Sequence, residues 1–139
     1  MKLTRPAFYV AILAVTVIAS PKSGVPAPES AQALPVVAAA AVPLYPRVAH
    51  LTNTQGAIHV QVSTDGHQVT AAHAHEDLKP LSGAAEENAK TWKFVEHTAT
   101  TFTITYEYRL SEHCGVDNPT VTLWLPTEIQ VCQYPDREY

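Results

Sequence analysis

Residues 57–63, Ala-Ile-His-Val-Gln-Val-Ser, alternate strictly: Ile58, Val60 and Val62 fall on one face, His59, Gln61 and Ser63 on the other. Period-two alternation marks a strand buried on one side only. Asp65-Gly66 follows at once, and both residues tolerate the positive φ of a two-residue hairpin turn. A return strand is therefore expected over residues 67–75. The period then changes. Leu78, Leu81, Ala85, Ala89 and Trp92 recur three or four apart, the spacing of one helical face, while Glu86, Glu87, Lys90 and Lys93 turn mostly outward. Upstream, Tyr45-Pro46-Arg47-Val48-Ala49 starts a short helix, since proline is tolerated in a first turn. Residues 34–42 are rich in Ala, Val and Pro and read as an unstructured lead-in.

Alternation returns after a loop to Thr100. Phe102, Ile104, Tyr106, Tyr108 and Leu110 face one way, and Thr101, Thr103, Thr105, Glu107 and Arg109 the other. Val121, Leu123 and Leu125 alternate again, Pro126-Thr127 interrupts, and Ile129 and Val131 resume, which predicts a C-terminal hairpin with Trp124 on the face opposite its leucines. The expected fold is α+β: a small antiparallel sheet packed on one or two helices, in the order helix-β-β-helix-β, with an added hairpin over residues 111–139.

Residues 1–33 change where this domain is expected to act. Lys2 and Arg5 precede an apolar run over residues 7–19, shorter than the roughly 20 residues of a membrane-spanning helix, and a polar stretch ends in Ala31-Gln32-Ala33. This is the pattern of a secretory signal peptide cut after Ala33; a cut after Ala19 and retention as an anchor are the alternatives. A cut after Ala33 leaves 106 of the 139 residues, with 6 basic and 12 acidic side chains. One compact domain fits that length, and no membrane span is expected after cleavage. A net acidic domain with dispersed lysines and arginines has no electrostatic footprint for nucleic acid. Export also sets the reading of Cys114 and Cys132, an even pair in an oxidising compartment, expected as a disulfide. The expected location is periplasmic or secreted.

Candidate chemistry is sparse. His73 and His75 lie two apart on a strand, with Glu76 and Asp77 nearby, but supply only two ligands where a metal site needs three or four, so no metal is expected. A nucleophile needs a base within hydrogen-bond reach, and neither Cys114 beside His113 nor any serine has that context. Glu86-Glu87 are neighbours on a helix and point in different directions. No catalytic residue and no cofactor are expected.

Tyr45-Pro46, Gly56 before the alternating strand, Asp65-Gly66 with Val69, Leu81 four before Ala85, and Trp92-Lys93-Phe94 together resemble the TonB C-terminal domain, over residues 43–110. The resemblance implies a non-enzymatic periplasmic protein- or peptide-binding module related to TonB-dependent transport. It also implies a binding mode: a segment of an outer-membrane receptor, or another envelope protein, adds to a sheet edge. Here that edge is the strand carrying Thr101, Thr103, Thr105, Glu107 and Arg109. Two features depart from the pattern. There is neither the long spacer nor a full membrane anchor, which argues against force transmission. The extension over residues 111–139 also supplies strands that can occupy the same edge. The alternative reading is a structural or assembly domain with that edge capped. The sequence leaves the oligomeric state open.

Overall fold

The computed structural model describes residues 33–137; the expected signal peptide lies, but for Ala33, outside the described residues. In chain order the elements are β1 (Val37–Ala39), α1 (Arg47–Leu51), β2 (Gly56–Thr64), β3 (Val69–Ala74), α2 (Leu81–Lys90), β4 (Lys93–Phe94), β5 (Thr101–Leu110), β6 (Thr120–Trp124) and β7 (Glu128–Gln133). The fold is α+β. A five-stranded sheet runs in the order β3-β2-β5-β7-β6, and β1 and β4 form a second, two-stranded sheet.

Alternation becomes a one-sided core. Ile58, Val60, Val62, Ile104, Tyr106, Ile129 and Val131 are buried on one face of the sheet, together with Leu81, Ala85, Ala89 and Trp92 of the α2 segment. Burying large side chains of this kind stabilises by roughly 1.5–3 kcal/mol each. Phe94 extends the cluster by packing edge-on to Phe102, ring centroids 5.9 Å apart. Gly56 has a steric role: a Cβ there would come within 2.9 Å of Leu78 Cδ2.

Several boundaries and pairings differ from the sequence-based expectation. The turn after β2 is wider than a two-residue hairpin, because Thr64 pairs with Val69 across a register irregularity. Asp65 Oδ1 accepts the backbone N–H groups of His67 and Gln68 at 2.9 and 3.0 Å, which closes the wider loop. Gly66 alone takes a positive φ there, 108°, with His97 O only 2.6 Å from where a Cβ would stand. Helix α2 begins at Leu81 rather than at Leu78, with Pro80 as its N-cap. Ser82 Oγ accepts the Leu78 N–H at 2.9 Å and donates to Glu76 O.

The lead-in is corrected. Within residues 34–42, Val37–Ala39 pairs antiparallel with Lys93–Phe94, and Val95 N–H donates to Val36 O at 2.9 Å. The Val-rich segment finds unpaired backbone beside the Trp92-Lys93-Phe94 turn, which local composition does not reveal. The sheet is also not wholly antiparallel. The hairpin over residues 111–139 does join β5, but through its second strand, and β5–β7 is parallel. The connection over residues 111–119 crosses to lay β6 outside β7. Burial explains the order: Ile129 and Val131 are buried, whereas Leu123 stays exposed, so β7 has the more apolar face for an interior position.

Trp92→Ala should therefore cost roughly 3–5 kcal/mol, while Glu87→Ala, on the exposed side of α2, should change stability by no more than about 0.5 kcal/mol. Urea titration of both variants checks this; equal losses would mean that the buried face of α2 is wrongly assigned.

Candidate partner-binding edge

Strand β5 carries the candidate edge, and its backbone has two sides. Phe102, Ile104, Tyr106 and Tyr108 pair with Val62, Val60, Ile58 and Gly56 of β2. Thr64 N–H donates to Thr100 O at 2.9 Å, which fixes the phase of that ladder. In an antiparallel ladder alternate residues bond to alternate sides, so Thr101, Thr103, Thr105, Glu107 and Arg109 direct their backbone groups away from β2. That is the side a partner strand would use.

Strand β7 already lies there. Thr105, Glu107 and Arg109 stand opposite Glu128, Gln130 and Cys132 in parallel register. Thr105 N–H donates to Thr127 O at 2.8 Å, and beyond the end of β5 Ser111 N–H donates to Gln133 O at 3.0 Å. Only Thr101 and Thr103, ahead of the β7 register, have no strand partner on this side among the described residues. Cys114 and Cys132 are brought to disulfide-bonding distance, with Cα atoms 5.7 Å apart. The pair links the turn after β5 to β7.

The residues that carry the family resemblance lie in the core or at turns beside it rather than along the edge. Tyr45 is buried, its ring edge-on to Tyr108 at 5.6 Å, and its hydroxyl donates to Thr54 O at 2.6 Å. Burial pushes the Tyr45 phenol up to about 12. Burial also raises Tyr106 and Tyr108. Pro46 forms the N-cap of α1. Trp92 and Phe94 lie within the core, as do Ile58 and Val60 that follow Gly56, while Asp65-Gly66 holds the β2–β3 turn.

Sequence reasoning missed Asn88. It sits on the apolar side of α2, where Oδ1 accepts from Trp92 Nε1 at 3.2 Å and from Tyr106 Oη at 2.8 Å, and Nδ2 donates to Ala41 O at 2.9 Å. One amide thus satisfies two buried ring donors and ties the lead-in to the core. A lone amide four residues before Trp92, between Ala85 and Ala89, is its only sequence signal. Glu86 is also more than a solvated side chain: it accepts the N–H of Ala74 at 2.8 Å.

His73 and His75 are exposed on and just after β3. Among the described residues no three His, Cys, Asp or Glu side chains converge to hold a metal ion. A cavity of about 680 Å³ beside the start of α2 is lined by His75, Glu76, Asp77, Lys79, Glu86 and Glu87. Two of its carboxylates are already engaged, Glu86 with Ala74 and Glu76 with the ring and backbone N–H of His59. Comparison with protein-family models, curated proteins and solved structures finds no match.

Partial burial acts to raise Glu76, but the hydrogen bonds from the His59 side chain and backbone outweigh it and hold the carboxyl below its ordinary range. A carboxyl depressed in the folded state stabilises the fold above its unfolded value, and that contribution is lost as pH falls through the folded one. Glu76→Gln should therefore reduce the loss of urea resistance between about pH 5 and pH 3. Parallel losses in variant and parent over that range would contradict it.

Proposed function

We propose that this chain is a non-enzymatic exported domain of the TonB C-terminal kind that serves as an envelope interaction or assembly domain, with the usual partner edge occupied by its own C-terminal hairpin. The resemblance over residues 43–110 supplies the class, and the signal-like pattern of residues 1–33 supplies the periplasmic or secreted location. One observation carries the choice between the two readings of the edge: β7 lies along β5 from Thr105 to Leu110. Strand addition by a receptor segment needs a free row of backbone N–H and C=O groups. At β5 that row is taken, except beside Thr101 and Thr103.

Force transmission is not part of this proposal. The domain instead offers its partners, other envelope proteins, the side-chain surfaces of its sheet. Cys114 and Cys132 support the same reading, since a cross-link there keeps the hairpin beside β5 in an oxidising compartment.

Isothermal titration of the oxidised chain with an extended peptide copied from an outer-membrane receptor's TonB-binding segment is expected to give no saturable binding. A TonB C-terminal domain with a free edge serves as the positive control. Saturable binding accompanied by new protection of the Thr105, Glu107 and Arg109 amides would return the chain to the receptor-binding class.

A further inference from the structure

The five-stranded sheet has two outer strands, β3 and β6, and only one of them is guarded. Ala71, His73 and His75 face β2, as the bond from His75 N–H to His59 O shows, so the N–H of Ala74 points outward and is met by the Glu86 carboxylate. The β2–β3 pair also carries a register irregularity near its turn. Irregularities and nearby charges are the devices by which natural edges avoid pairing with another chain.

Strand β6 has neither device. Its sequence, Thr-Val-Thr-Leu-Trp, is uncharged, its register with β7 is unbroken, and no residue within it is proline. The phase of its outer side follows from β7. Thr127 and Gln133 carbonyls accept from β5, so the odd-numbered residues of β7 face β5 and the even-numbered ones face β6. Thr120, Thr122 and Trp124, opposite Cys132, Gln130 and Glu128, therefore turn their backbone groups toward β7. The N–H and C=O groups of Val121 and Leu123 point outward, where no strand lies among the described residues. Leu123 and Trp124, on opposite faces of this edge, are 44% and 51% exposed.

We propose that β6 pairs antiparallel with β6 of a second copy of this chain, joining the two five-stranded sheets across a two-fold axis at Thr122. The argument for a second copy is self-complementarity. An isologous contact needs one patch to match itself, and this register sets Val121 opposite Leu123 and Thr120 opposite Trp124, small against large on both faces. It forms about four backbone hydrogen bonds, all from the outward groups of Val121 and Leu123. No charge on the strand opposes its copy. So short a contact falls below the roughly 1,200 Å² of stable interfaces, which makes this a weak dimer that grows with concentration. The inference rests on the backbone phase of β6 and does not depend on the proposed function.

The test is sedimentation velocity on the oxidised full-length mature chain, with hydrogen exchange read by NMR, across about 1 to 300 μM. A monomer–dimer equilibrium is expected, with protection of the Val121 and Leu123 amides rising as the dimer forms, while Thr122 and Trp124 are protected throughout by β7. Leu123→Lys should shift the midpoint by at least about tenfold. Leu123→Pro removes only an outward N–H, which an edge strand tolerates, and should abolish dimerisation with an unchanged urea midpoint. A monomer at every concentration would overturn the proposal. So would a dimer that both variants retain, or Val121 and Leu123 amides equally protected at all concentrations.

Discussion

The structure depends on the lateral contact between β5 and β7. A strand in the middle of a sheet must have its backbone bonded on both sides, because buried N–H and C=O groups left without partners cost about as much as a lost hydrogen bond. β2 satisfies one side of β5, through the ladder from Gly56 to Ser63. The other side is met by residues more than twenty positions further along the chain. This contact turns a three-stranded arrangement into a five-stranded sheet. It places Ile129 and Val131 in the core and leaves β6 at the new border. Parallel pairing follows from the crossing of residues 111–119, and the Cys114–Cys132 pair shortens the loop that must close. In the chain-entropy view a cross-link of that span stabilises by roughly 3 kcal/mol.

On the core face, α2 covers β2 and β3, with Leu81, Ala85 and Ala89 fully buried. Its terminus is tied by Asn88 to Trp92, Tyr106 and Ala41. The opposite face is polar: His59, Gln61, Thr103, Thr105 and Glu107 lie side by side on neighbouring strands. The domain thus presents side chains from one face and backbone from its borders. At β3 the N–H of Ala74 is met by Glu86; at β6 no strand among the described residues meets the outward groups of Val121 and Leu123.

Local periodicity made much of this legible. The alternation of residues 57–63 and 101–110 and the helical spacing from Leu81 to Trp92 correspond to β2, β5 and α2, with their buried faces as expected. The C-terminal hairpin and its contact with β5 were also readable. The rest depended on partners distant in the chain. Val37–Ala39 has no strand signal beyond Val37 and the preceding Val36 until Lys93–Phe94 lies beside it. Which strand of the hairpin meets β5 is decided by the apolar faces of Ile129 and Val131 competing with Val121 and Leu123, and alternation alone does not rank them. Asn88 resembles any polar residue on a helix until Trp92 and Tyr106 converge on it. Glu86 is likewise a surface carboxylate in sequence and a cap for the β3 edge in the fold. For the candidate site, alternation identified the residues Thr101 to Arg109 and their common face, whereas the parallel direction of the strand beside them lay beyond its reach.

Amide hydrogen exchange along β5 in the oxidised chain tests the central claim most directly. If β7 closes this strand, the amides of Thr105, Glu107 and Arg109 exchange as slowly as those of Ile104 and Tyr106, which β2 holds, while Thr103 exchanges faster. Rapid exchange at Thr105, Glu107 and Arg109 beside slow exchange at Ile104 and Tyr106 would mean that this side of β5 is open, and would contradict the account.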